Sequence, residues 1–240
     1  TSNQSPDNGA SYAATCYMHF ANSHLKPNYT SSQLTACGYN GRNNINSSST
    51  VNISTPVHLY QGSGSSTKIT EFFPIGSWTQ GLMFRTNNNK LYAVGKCIRG
   101  QFGVGVGAVN YASPTVLRTD VAELFPPCVS PYSDCDVSSV FIRLTNGKIY
   151  GSGWNAHHQL GRRDLTVDTQ FDFAEVAFPV EGFEGVKYIF SASSTGTGNS
   201  IFAVTNNNRI FAWGYNGQNN IFYPFYTNIK YPFLLDVKLK

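Results

Sequence analysis

The chain has 240 residues, 41% of them hydrophobic and 14% aromatic, with only 12% charged and a net charge of +4. That length buries a sizeable core as one large all-β domain or two ordinary ones, and the low charge with abundant Asn, Ser, Thr and Gly favours strands and turns over exposed helices. Lys and Arg form no run, which leaves no electrostatic footprint for nucleic acid, and no apolar stretch approaches the roughly 20 residues of a membrane-spanning helix.

In chain order, residues 1–33 form an N-terminal segment rich in Asn, Ser and Thr, which either completes the first blade or runs over the surface. From residue 34 to 240 one phrase recurs. "LTACGYNGRNN" supplies Gly38 and is followed by "STPVHLY" with Pro56. "LMFRTNNNKLYAVG" pairs two alternating apolar segments around a turn and ends at Gly95, with Pro114 following in "SPTVL". "VFIRLTNGKIYGSG" ends at Gly153, and "FDFAEVAFPV" takes the place of the proline segment. "SIFAVTNNNRIFAWG" ends at Gly214 and is followed by Pro232 in "YPFLL". The last ten residues, "YPFLLDVKLK", read as the opening strand of a further blade.

The four glycines stand 57, 58 and 61 residues apart, a period that marks one supersecondary unit copied several times. The register holds on both sides of them. Six residues before the glycine stand Asn89, Gly147 and Asn208, types that tolerate the left-handed backbone of a tight hairpin turn. Six residues after it stand Asn44, Gln101, Gln159 and Asn220, each followed by an apolar anchor: Ile45, Phe102, Leu160 or Ile221. The prolines mark an outer strand, where a missing N–H does little harm. Small residues at Ala93, Gly151 and Ala212 allow sheets to pack closely. The expectation is an all-β propeller or partial propeller of about four blades, each of four antiparallel strands.

"LTNGKIYGSGWNAHHQLG" resembles the repeat of the RCC1 (regulator of chromosome condensation) family, and "GKCIRGQFG" keeps the same loop. The resemblance implies protein partners, an intracellular setting and, in the family's best-known activity, nucleotide exchange on a small Ran-type GTPase. Family repeats often carry His nine residues before the turn glycine; here those positions hold Gln80, Ser138 and Asn199, which become candidate interaction positions. No stretch matches the family's protruding hairpin wedge. Family propellers generally have seven blades, whereas four repeats fill this chain, so the first expectation is a part of a longer protein, ahead of a smaller ring or a partner covering the edges.

Other candidates are weaker. Trp78 and Trp154 lie near strand ends, where an aromatic can anchor an interface, while Trp213 reads as core. His157 and His158 fill variable loop positions with no third metal ligand in view. Asp134 with Asp136, and Asp164 with Asp168, read as solvated loop residues, and no nucleophile elbow is present. The five cysteines lack a zinc spacing; Cys128 and Cys135 are close enough to close a small loop in an oxidising compartment. Sequons begin at Asn3, Asn28, Asn46 and Asn52 in a segment where composition alone produces them. The stretches from Tyr60, Pro126 and Ser191 vary between copies and read as recognition loops.

These observations favour a non-enzymatic scaffold without cofactor or metal, binding a protein partner or docking in a larger assembly. An exchange factor or regulator of a small GTPase is the alternative, and a secreted recognition module, carried by the sequons and low charge, is the third.

Overall fold

The computed structural model describes residues 15–20, 32–40, 45, 51–63, 65–75, 81–129, 138–162, 169–179, 184–193, 199–221 and 227–235. Alternating apolar segments and left-handed turn residues produce antiparallel hairpins, and four sheets follow one another along the chain. The first contains β1 (Thr15–Phe20), β2 (Gln33–Gly38) and β3 (Ile53–Gln61). The second runs β4 (Ile69–Ile75), β5 (Gly81–Thr86), β6 (Leu91–Cys97), β7 (Val109–Arg118). The third contains β8 (Val121–Leu124), β9 (Cys128–Val129), β10 (Ser138–Leu144), β11 (Ile149–Trp154) and β12 (Thr169–Glu175). The fourth runs β13 (Val186–Ser193), β14 (Asn199–Thr205), β15 (Ile210–Gly214), β16 (Ile229–Leu235). Among the described residues a single 3-10 turn, Ser65–Thr67, is the only helical element, and no helix is long and apolar enough to cross a membrane.

Two details depart from the expected plan of four strands per blade. The first sheet has three strands among the described residues. In the third, β8 and β9 both pair with β10, because Pro126 and Pro127 interrupt what would be one strand by removing two ladder donors. The segment "YPFLL" also departs from expectation: it lies in β16, which pairs with β15 as the outer strand of the fourth sheet rather than opening another. Pro56, Pro114 and Pro232 all lie within outer strands, which tolerate the lost donor.

The central hairpin of each of the last three sheets turns through the same geometry. Asn89, Gly147 and Asn208 have φ of 64°, 85° and 59°. Their N–H groups donate to Thr86, Leu144 and Thr205 carbonyls at 3.0, 2.9 and 3.0 Å. This is a type I turn closed by a left-handed bulge residue.

The core lies between sheets. Leu34 meets Ile69, Leu82, Phe84 and Val94 between the first and second, where Phe84 and Tyr92 stack with centroids 4.9 Å apart. Met83, Ala93 and Phe102 meet Val140 and Ile142 between the second and third. Phe141, Ile149 and Leu160 meet Ile201, Phe211 and Trp213 between the third and fourth. Paired antiparallel residues share a face, so each sheet has an onward face toward the next and a rear face toward the one before. Ala93, Gly151 and Ala212 all lie on onward faces, opposite Met83, Phe141 and Phe202.

Candidate interaction rim

The loop after each repeated glycine is built by side-chain amides. Two residues past the glycine stand Asn40, Asn155 and Asn216, each buried, and their Oδ1 atoms accept the N–H of Ile45, Leu160 and Ile221 at 2.9, 2.9 and 3.1 Å. Cys97 takes this place in the second copy, and its thiol donates to Gln101 Oε1 at 2.9 Å. Burial pushes that thiol above its ordinary pKa.

A second clamp comes from Gln101 and Gln159, whose Oε1 atoms accept the N–H of Arg99 and His157 at 3.0 and 2.9 Å. The main-chain oxygens of the same residues reach the following sheet: Gln101 accepts Ser152 Oγ–H at 3.0 Å and Gln159 accepts Trp213 Nε1–H at 2.6 Å. Gly100, His158 and Asn219, all five past the glycine, have φ of 72°, 63° and 57°. Each loop is therefore fixed to its own sheet and, in the second and third copies, to the next one.

These loops hold two corresponding pairs of half-buried side chains at consecutive sheet junctions. The Arg99 guanidinium lies over the Trp154 ring, 4.9 Å from its centroid. One junction on, His157 meets the Tyr215 ring edge-on at 5.0 Å, and its Nδ1 lies 3.2 Å from Asn228 Nδ2. In both, the residue four past one glycine packs on the residue one past the next. A second line of charge runs near the hairpin turns, where Arg85 pairs with Glu71 and Arg143 with Glu123. Arg143 Nη1 also donates to the Val186 carbonyl at 2.7 Å, tying the third sheet to the fourth. Burial holds the Glu123 carboxyl above its ordinary pKa against the opposing pull of Arg143.

Of the residues expected to contact a partner, Ser138 and Asn199 are 0% and 1% exposed, so neither is presented to one. They open β10 and β14, strands covered by sheets or loops on both faces; Asn199 Nδ2 donates to the Cys128 carbonyl at 3.4 Å. Trp78 and Gln80 lie outside the described residues, as do Asn44, Asp134, Asp136, Asp164, Asp168 and the sequon residues Asn3, Asn28 and Asn46. Asn52 is exposed and its Oδ1 accepts Asn40 N–H at 3.2 Å. Trp213 is fully buried. Cys128 is a free, buried thiol whose pKa burial pushes up to about 12; Cys135 lies outside the described residues. The stretch from Tyr60 folds onto itself, with Tyr60 Oη–H donating to the Thr67 carbonyl at 3.1 Å. The stretches from Pro126 and Ser191 are described only in part.

The Asn clamp escaped sequence reading although "GYNG", "GWNA" and "GYNG" display it at a fixed offset from Gly38, Gly153 and Gly214. Cys97 hides it in one of the copies whose loop best matches the family pattern. The pairing of Arg99 with Trp154 has no local signal, because it joins equivalent loops of successive copies.

No family model matches the chain. Among curated proteins it is similar to the X-linked retinitis pigmentosa GTPase regulator of dog, 26% identical over 147 residues, and of human, 28% identical over 136 residues. Those alignments take in 61% and 57% of this chain but only 13% and 12% of the relatives. Among solved structures it is similar to yeast RCC1 (Prp20) bound to Kap60, with a TM-score of 0.62 at 14% identity. It is also similar to human WBSCR16, with a TM-score of 0.60 at 15% identity. Prp20p of Saccharomyces cerevisiae, described with its binding properties to Gsp1p and histones, gives 0.59 at 13% identity. Each match covers 86% of this chain and about half of the other, 48% to 50%.

Proposed function

We propose that this chain, whose fold is that of an RCC1-like β-propeller, acts as a protein-interaction scaffold through the loop rim that carries Arg99 on Trp154 and His157 on Tyr215. The observation that carries this reading is the recurrence of the pair at successive junctions. Arg and large aromatic side chains are the residues that concentrate binding energy at interfaces, and a pair already packed in the free protein loses little freedom on binding. The clamps of Asn155, Gln101 and Gln159 supply that pre-organisation. In this reading the chain works by binding and needs no catalytic side chain, and Trp78 is a further anchor.

The test is retention of partners by the immobilised chain and by Arg99→Ala and Trp154→Ala variants, with identical circular dichroism required of all three. A partner held by the parent and lost by both variants supports the rim. An unchanged set of partners removes it.

A second reading, regulation of a small GTPase, is supported by the name of the curated relatives and by the description of Prp20p with Gsp1p. Acceleration of labelled GDP release from a Ran-type GTPase selects it. Unchanged release in the presence of excess chain rejects it.

A further inference from the structure

We propose that Cys16 and Cys37 form a reversible disulfide that staples β1 to β2, made and broken by exchange with a small-molecule disulfide of the glutathione type. The inference stands apart from the rim reading. The two strands pair without a bulge from Thr15 opposite Gly38 to Phe20 opposite Gln33, which sets Cys16 directly opposite Cys37. Directly opposed residues of an antiparallel pair share a face with Cα atoms about 4.5 or 5.5 Å apart, and both spacings fall within the roughly 4.4–6.8 Å that a disulfide spans. The register thus meets the backbone condition for the bond.

The same place in the other three copies holds no cysteine. One step from the repeated glycine, the opposed residues are Leu82 with Val94, Val140 with Ser152, and Ile201 with Trp213, and all six are 0% exposed between sheets. The first copy replaces both members of the pair at once, a coincidence that packing does not demand and a crosslink does. Cys37 is also partly exposed, while Leu34, Thr35 and Ala36 before it are buried, so its thiol is within reach of a dissolved reagent. Cys97 and Cys128, buried at the later sheet junctions, do not compete for it.

Exchange proceeds in two displacements. The Cys37 thiolate attacks one sulfur of glutathione disulfide, whose S–S bond breaks and whose other half leaves as a thiolate that takes up a proton. The Cys16 thiolate then attacks the Cys37 sulfur of this mixed disulfide and expels the second glutathione in the same way. The two cysteines lose two electrons and two protons, and glutathione disulfide gains them to become two thiols. β1 is an end strand of its sheet and pairs with β2 among the described strands. The bond ties it there covalently and closes the loop between residues 16 and 37 in the unfolded chain, which favours the folded one. Reduction removes the tie.

Glutathione buffers of graded disulfide-to-thiol ratio, applied to the whole folded chain, test this. After acid quenching and alkylation with N-ethylmaleimide, chymotrypsin cuts at Tyr17, Phe20 and Tyr29, between the two cysteines, so the bond appears as a pair of joined peptides. The expected result is Cys16 joined to Cys37 in a fraction that rises with the ratio and returns to zero in dithiothreitol. The joined chain should unfold at a higher urea concentration than the reduced one, and that difference should vanish in Cys16→Ser and in Cys37→Ser. Because the parent chain gives both readouts, a variant that fails to fold leaves the test standing. Two thiols alkylated at every ratio overturn the proposal. So does a bond that forms only in urea, a Cys37 that stops at the mixed disulfide with glutathione, a bond to another cysteine, or a joined chain with an unchanged midpoint.

Discussion

Trp213 donates its indole N–H to the main-chain oxygen of Gln159 at 2.6 Å across the junction of the third and fourth sheets. The ring is fully buried and meets Phe141 and Phe178 edge to face, with centroids 6.0 and 5.6 Å away. One aromatic side chain thus fills the junction and satisfies a carbonyl that would otherwise be stranded. Trp213→Phe keeps much of the volume but leaves that carbonyl unpaired, and should cost about 1–3 kcal/mol. Trp213→Ala adds a cavity and should cost about 3–5 kcal/mol. Urea unfolding followed by far-ultraviolet circular dichroism measures both, and equal stability of the parent and the Phe variant contradicts the role given to the indole N–H.

Glycine is needed for different reasons at two places in the third repeat. A Cβ on Gly153 would lie 2.5 Å from the Ser138 carbonyl oxygen, and φ is 102°. Gly147 has φ of 85° with nothing within 4 Å of a Cβ, and Asn occupies the same place in two other copies. Gly153→Ala should therefore destabilise by more than about 2 kcal/mol, whereas Gly147→Asn should change stability by less than about 1 kcal/mol. Denaturant midpoints of the two variants, compared at equal slope, decide the matter.

His158 holds φ of 63° at the position where the other described loops have Gly100 and Asn219. A side chain other than glycine pays about 1–2 kcal/mol for that conformation. His158→Gly should raise the thermal midpoint, with a gain on the order of 1 kcal/mol once the entropy lost by glycine is set against the strain released. A lowered midpoint, measured by scanning calorimetry, shows instead that the imidazole's contacts outweigh its backbone strain.

The Cys128 thiol, with its pKa raised to about 12 by burial, keeps its proton in the folded chain while an exposed thiol in the unfolded chain loses it near pH 8.5. The folded state then binds more protons, so this group leaves stability unchanged below about pH 8.5 and lowers it as pH rises toward 12, by up to about 1.4 kcal/mol per unit. Cys128→Val should flatten the alkaline limb of the stability profile. In the native chain, iodoacetamide followed by peptide mass analysis should find Cys37, which is partly exposed, modified ahead of the buried Cys97 and Cys128.

The hairpins and sheet order were legible in the chain because each rests on a local rule repeated several times: alternation in "VFIRLT" and "KIYGSG", and left-handed residue types at Asn89, Gly147 and Asn208. The interior of the middle strands was harder to read. β10 and β14 are buried on both faces, so Ser138 and Asn199 look like surface residues by type but are enclosed by neighbours far away in sequence. The Arg99–Trp154 contact is hidden for the same reason. Pro126 and Pro127 announce a break, but only the pairing of both β8 and β9 with β10 shows that one strand was divided rather than ended.

The donors that complete the Gln loops come late. Gln101 waits for Ser152, 51 residues on, and Gln159 for Trp213, 54 residues on. In these two loops the outward carbonyl therefore meets its donor only when the following sheet is in place, so the last contact of each loop is supplied by residues about one repeat further along the chain.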